Sequence, residues 1–236
     1  MDHVSNQPRP GLLAGTHVSA EAGAATSVGG PTRVLRDTYS LLSMTLLFSA
    51  ACAATGVALN LPAPGILLTL AGYFGLLFAV HRFKDSGWAL PAVFALTGFM
   101  GYTLAPMLTK TLAAAGGAQV LTLALAATGV TFLALSAWVL TTRRDFSFMG
   151  GFLFAGMVIA LLVGLGAIWL QIPALGLAVA AMVALLSAGL ILYETSRIVH
   201  GGETNCVMAT VGLYVSIFNL FTSLLSLFGF GGSDES

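Results

Sequence analysis

Between Tyr39 and Phe230 the chain is almost nothing but apolar stretches, each close to the ~20 residues a helix needs to cross hydrocarbon. Seven can be counted, at about Tyr39–Leu61, Pro64–Arg82, Trp88–Leu108, Ala118–Leu140, Phe148–Leu170, Ala174–Ile198 and Val207–Phe230. In lipid every backbone polar group must be satisfied within the protein, so consecutive spans of this length must be helices. Only 8% of the residues are charged, against about 25% in soluble domains, and mean hydropathy is +0.94. The chain is expected to be an all-α membrane protein whose outer surface faces the lipid bilayer.

The breaks between segments are short. Asn60-Leu61-Pro62-Ala63-Pro64 and Gln171-Ile172-Pro173 force tight hairpins. Eight of the nine Lys and Arg fall in the N-terminal stretch (Arg9, Arg33, Arg36), after segment two (Arg82, Lys84), after four (Arg143, Arg144) and at the end of six (Arg197). Lys110 stands alone on the other side. The positive-inside rule then makes the N-terminus cytoplasmic, and seven spans put the C-terminus outside. Three regions follow: a tail over 1–32, rich in Gly, Ala, Ser and Pro and expected to be disordered; a transmembrane domain over 33–230; and a short polar tail over 231–236. The tail lacks the basic start and continuous apolar core of a cleaved signal peptide, so the first span is expected to be retained.

A zero formal net charge leaves no basic patch for nucleic acid. Two cysteines and four histidines offer no metal-site spacing. No nucleophile–base–orienter set or phosphate loop is visible, and loops this short hold no catalytic domain, so neither an enzyme nor a cofactor protein is expected.

The chemistry of interest lies inside the spans. Glu194 is the one acid within segment six, followed by the polar loop His200-Gly201-Gly202-Glu203-Thr204-Asn205. An ionisable residue in a span is a functional candidate. A carboxylate half out of water needs a proton or a cation. Arg197, at i+3 on the same helix, would make Glu194 a structural ion pair. Arg82, with His81 beside it at the end of segment two, would make it one half of a gate, and His is the residue type that changes charge near neutral pH. Segment seven carries a stripe of Gly212, Ser216, Asn219, Ser223 and Ser226 at steps of four, three, four and three. Such a face turns into the bundle, as interhelical glue or as the lining of a pathway.

Several motifs together resemble the Bax inhibitor-1 family: Arg36-Asp37-Thr38-Tyr39, Gly98–Pro106, Leu140–Phe148, Tyr193-Glu194-Thr195 and Leu213–Phe221. The His200–Asn205 loop makes the chain most similar to the bacterial inner-membrane YccA-like branch. The resemblance runs from Arg33 to Phe230 and implies seven helices, six of them around a central seventh. It also implies two roles. Some members behave as pH-sensitive calcium leaks, in which acids in segments six and seven pair near an arginine of segment two. Those positions match Glu194, Ser216 and His81, with Arg82 adjacent, so one carboxylate stands where the family has two. The YccA-like branch is instead implied to modulate an FtsH-type, membrane-anchored AAA protease. The stretch Met1–Gly30 would then be the part such a protease grips.

Three functions are therefore carried forward: a regulatory partner of a membrane protease, a calcium or proton leak gated at Glu194 with Ser216 and Asn219 beside it, and a small-solute transporter.

Overall fold

The structure is a computed structural model and describes residues 30–231. Seven α-helices follow one another: α1 (Gly30–Ala58), α2 (Ile66–Phe83), α3 (Ala89–Ala113), α4 (Gly117–Thr142), α5 (Gly150–Leu170), α6 (Pro173–Val199) and α7 (Cys206–Gly231). A single 3₁₀ turn, Ser147–Met149, precedes α5. There is no strand among the described residues, and all seven helices are long and apolar enough to cross a membrane. The segment count and order agree with the hydropathy pattern.

The largest difference lies at the start. α1 begins at Gly30, nine residues before Tyr39, so positions 30–32 of the expected tail are helical. Pro31 permits this, because the first turn of a helix has no intrahelical use for the N–H that proline lacks. Residues 1–29, with Met1, and the end of the polar C-terminal tail lie outside the described residues.

Three of the connections turn through left-handed residues that are not glycine. Asn60 (φ 46°) ends α1, Arg143 (φ 49°) ends α4 and Gln171 (φ 55°) ends α5. At Gln171 the N–H still reaches the Ala167 carbonyl, closing the last turn before Pro173 starts α6.

Close helix contact rests on small residues, as expected for association in lipid. A methyl group at Gly101 would collide with the Ser49 backbone, and one at Gly56 would lie 2.6 Å from the Ala105 Cβ, so α1 and α3 approach through these glycines. α3 runs unbroken through Pro106.

α7 has the largest buried share of any span, half of its window. It packs against α1, α3, α4 and α6, most extensively against α6. Its Leu213, Tyr214, Ile217 and Leu220 meet Leu42 of α1, Val93 and Leu96 of α3, and Ile191 of α6 in one cluster. Tyr214 also pins three helices by hydrogen bonds. Its hydroxyl donates to the Thr97 carbonyl of α3 (3.2 Å), so its oxygen is left to accept from Ser49 of α1. α2 packs chiefly on α3, and α5 on α6.

Candidate functional site

The polar chemistry gathers where α6 ends and α7 begins. α6 stops in a Schellman motif: Gly202 N–H donates to the Arg197 carbonyl (2.8 Å) and Gly201 N–H to that of Ile198 (3.3 Å). Gly201 takes φ 72°, a left-handed conformation that glycine adopts without penalty. The turn brings Glu203 back beneath the last turn of α6. Arg197 Nη2 lies 3.0 Å from Glu203 Oε2, and its Nη1 lies 3.5 Å from Glu194 Oε2. One guanidinium therefore serves two carboxylates. It also sits over the Tyr193 ring, 5.5 Å from the centroid, a favourable cation–π placement.

The network continues across the bundle. Glu203 Oε1 accepts the Asn205 N–H (3.0 Å). The Asn205 side-chain oxygen caps α7 by accepting from Val207 and Met208 N–H (2.9 and 3.2 Å). Its Nδ2 donates to the Lys84 carbonyl and to Asp85 Oδ1 (3.2 and 3.0 Å). A continuous polar chain thus runs from Glu194 through Arg197, Glu203 and Asn205 to the α2–α3 connection. These bonds place the α2–α3 and α6–α7 connections at one end of the bundle.

Glu194 is half-buried, with 14% of its side chain exposed, and its carboxylate lies flat on α7. A Cβ at Gly212 would stand 2.7 Å from Glu194 Cδ, so the glycine of the α7 stripe is the space the carboxylate occupies. Ser216, one turn further along, is buried, and its hydroxyl donates to the Gly212 carbonyl (2.8 Å) rather than to Glu194. Asn219 stands two turns beyond Gly212. It lines a lateral cavity of about 1190 Å³ between α2 and α5, whose walls are mostly apolar and include Tyr73, Phe99, Phe154 and Gly164. Glu194 does not border that cavity.

The cation expected at Glu194 from segment two is not there. His81 and Arg82 are both exposed, and the cation paired with Glu194 is Arg197. The reason is the rotation of α2. Tyr73, Leu76, Leu77 and Val80 form its inward stripe, and Val80 is fully buried. At about 100° per residue, the next two positions turn away from the core. Gly72 packs under the Phe99 ring, while Gly75 faces open space.

A second cluster lies on the other side of α6. The Ser196 hydroxyl oxygen accepts the Phe146 N–H (2.9 Å), and His200 reaches the end of α4. Asp145, in the α4–α5 connection, has its carboxyl held below the ordinary range, first by hydrogen bonds from the Ser147 side chain and backbone. Ser196 did not stand out in the sequence, and Asn205 did so only as part of the polar loop, without its role. Asn205 had a readable signal, a capping residue immediately before an apolar run. His200-Gly201-Gly202 likewise spells a helix C-terminus. Ser196 had none, because its partner lies fifty residues away.

Among the described residues no group of three or more His, Cys, Asp or Glu is placed to hold a metal. The site is a built ionic network.

Comparison with known proteins gives this network a context. The family model described as inhibitor of apoptosis-promoting Bax1 matches residues 31–233, which spans all seven helices. The chain belongs to the Bax inhibitor-1 family. Within the Bax inhibitor-1 family it is similar to the modulator of FtsH protease YccA of Escherichia coli K12, at 49% identity over 209 residues, covering 89% of this chain and 95% of that protein. The inner membrane protein YccA of E. coli O6:H1 is similar to the same degree. An uncharacterized membrane protein of Vibrio cholerae is 42% identical over 204 residues, covering 86% of this chain and 92% of its own length. As a Bax inhibitor-1 family member with seven membrane-length helices, the chain is a multi-pass membrane protein.

Proposed function

We propose that this chain is a non-enzymatic regulatory protein of the bacterial inner membrane, acting by contact with a membrane-anchored protease of the FtsH type. The observation that carries this is the near end-to-end similarity to a protein named as a modulator of that protease. The fold is compatible with such a role. A protease that extracts its targets must unfold them, and a bundle tied by Tyr214 and the Arg197 network resists extraction. In this reading the N-terminus is cytoplasmic and the C-terminus outside, α7 is the axis of the bundle, and residues 1–29 offer the protease a grip. The eight basic residues on one side support that orientation.

Copurification of the protease with the full-length chain, compared with a chain lacking residues 2–29, tests the proposal. Capture by the full chain and slowed turnover of a reporter substrate are expected, both weakened by the deletion. Unchanged turnover with the full-length chain in excess sinks the reading.

The cation-leak reading rests on Glu194. Here that carboxylate is bound to Arg197 and lies off the lateral cavity, so a gate at Glu194 would have to work by opening that pair. Calcium flux into liposomes, with Glu194→Gln alongside, decides it. Flux that responds to the substitution establishes a leak, and flux no greater than in empty liposomes removes it.

A further inference from the structure

His200 is held between two backbone carbonyls that belong to different helices. Its Nδ1 lies 2.9 Å from the Ser196 carbonyl, one turn back in α6, and its Nε2 lies 3.0 Å from the Arg143 carbonyl at the end of α4. A carbonyl oxygen can only accept, so each of these contacts needs an N–H on the ring. Neutral imidazole has one N–H and imidazolium has two. Both bonds exist together only when the ring is doubly protonated.

The rest of the cluster is arranged around the same contact. Arg143 adopts φ 49°, which is unfavourable for a residue with a Cβ, and it is this residue whose carbonyl His200 meets. The Ser196 hydroxyl accepts the Phe146 N–H (2.9 Å) and lies 3.4 Å from both Asp145 Oδ1 and His200 Nδ1. The charged groups around the ring are few. From the α4–α5 connection, Asp145 attracts a cationic ring, while the exposed Arg143 and Arg144 oppose it. From α6 and its loop, Arg197 and Glu203 are paired with each other. α7 contributes no charged residue to its first turn. His200 itself is exposed, so protons reach it directly.

We infer that His200 is a proton-operated clasp fastening the α4–α5 connection to the end of α6. At low pH the ring carries both N–H groups and the clasp is shut. When the ring gives up one proton it keeps one N–H. Retaining the bond within its own helix, to Ser196, costs less order than retaining the one across to Arg143, so the inter-helix bond is the one lost. The α4–α5 connection, with the Arg143 and Arg144 guanidinium groups, is then held to α6 more loosely, through the Phe146 N–H bond to Ser196. This device is separate from the Glu194 network and does not depend on the protease reading.

The test uses the full-length chain in lipid nanodiscs, with Cys52 and Cys206 replaced by Ala and spin labels placed at Phe148→Cys and Thr204→Cys. Interlabel distances are read by electron paramagnetic resonance at about pH 5.5 and about pH 8.5, on either side of the histidine range. The expected result is one short, narrow population at the lower pH and a longer one growing in at the higher. The ratio of closed to open should fall about three- to tenfold, the net worth of one ordinary hydrogen bond. His200→Ala should show the longer population at both pH values. His200→Gln, which has no titrating group, should show no pH dependence, and it serves if the alanine variant does not insert. A pH-invariant distribution in the chain with His200 intact overturns the inference. So does a pH response that survives in His200→Gln.

Discussion

Arg197 and Glu203, six residues apart across the end of α6, form the shortest ion pair among the described residues, at 3.0 Å. The loop glycines make the pair possible by folding Glu203 back under the helix. Glu194, 3.5 Å from the same guanidinium, is the second claimant on that charge. Two carboxylates thus depend on a single cation.

Arg197→Met should therefore destabilise the protein strongly, because it strands both acids. Breaking a fully buried pair costs about 3–5 kcal/mol. Arg197 is 29% exposed, so a loss of about 2–3 kcal/mol is expected once solvent screening is allowed for. Adding Glu194→Gln to Arg197→Met should restore part of that loss. Thermal unfolding midpoints in detergent measure both, and a double variant no more stable than the single one contradicts the shared-cation picture.

Gly212→Ala should also destabilise, for steric reasons. The new methyl group would sit 2.7 Å from the Glu194 carboxyl carbon; because that carboxylate ends a flexible side chain and can swing aside, the cost should fall at the low end of overpacking, about 1 kcal/mol. Gly75→Ala is the matched control. Nothing lies within 4 Å of a Cβ there, so the helix propensity of alanine should leave it neutral or up to ~1 kcal/mol more stable. Opposite signs for the two substitutions are expected from the same unfolding measurement.

Asn205→Ala removes the α7 cap and both links to the α2–α3 connection. Loss of the cap alone is worth about 1 kcal/mol, and the two lost tethers should take the total above that. Asn205→Asp retains the capping oxygen but has no N–H to donate, and it sets a second carboxylate against Asp85. It should fall between the parent and the alanine variant. Hydrogen exchange at residues 84–88 reads the tether separately from the cap, and faster exchange is expected in both variants.

The α4–α5 connection should loosen at both ends of the pH scale. Its acid limb belongs to Asp145. Because that carboxyl is held below its ordinary range by bonds from Ser147, it contributes fully above the normal carboxylate range. The contribution is lost as pH falls through the lowered value. His200 supplies the alkaline limb. Asp145→Asn should remove the acid limb and leave the alkaline one, as read by the same interlabel distances. Loss of both limbs in that variant would show the two groups to act as one.

Much of the site could be located from the sequence, but its wiring could not. Glu194 announced itself as an acid in an apolar span, and Arg197 at i+3 followed from helical geometry. The α7 stripe was visible too, and it has two uses: Gly212 accepts the carboxylate, while Asn219 reaches a lateral cavity. Asn205 was readable as a cap but not as a tether, since its Nδ2 partners lie about 120 residues earlier. Ser196 and the His200 contact to Arg143 were invisible, because serine and histidine at a helix end carry no mark of what packs beside them.

What the sequence determined by itself is the number, order and type of the spans. Each depends on the hydropathy of some twenty consecutive residues, and in lipid such a run has only the helix in which to satisfy its backbone. What the tertiary structure decided is which charges meet. That depends on the rotation of each helix about its axis, where one residue is worth about 100°. Burial of Val80 turned Arg82 outward, the glycine turn brought Glu203 inward, and Glu194 was left to Arg197.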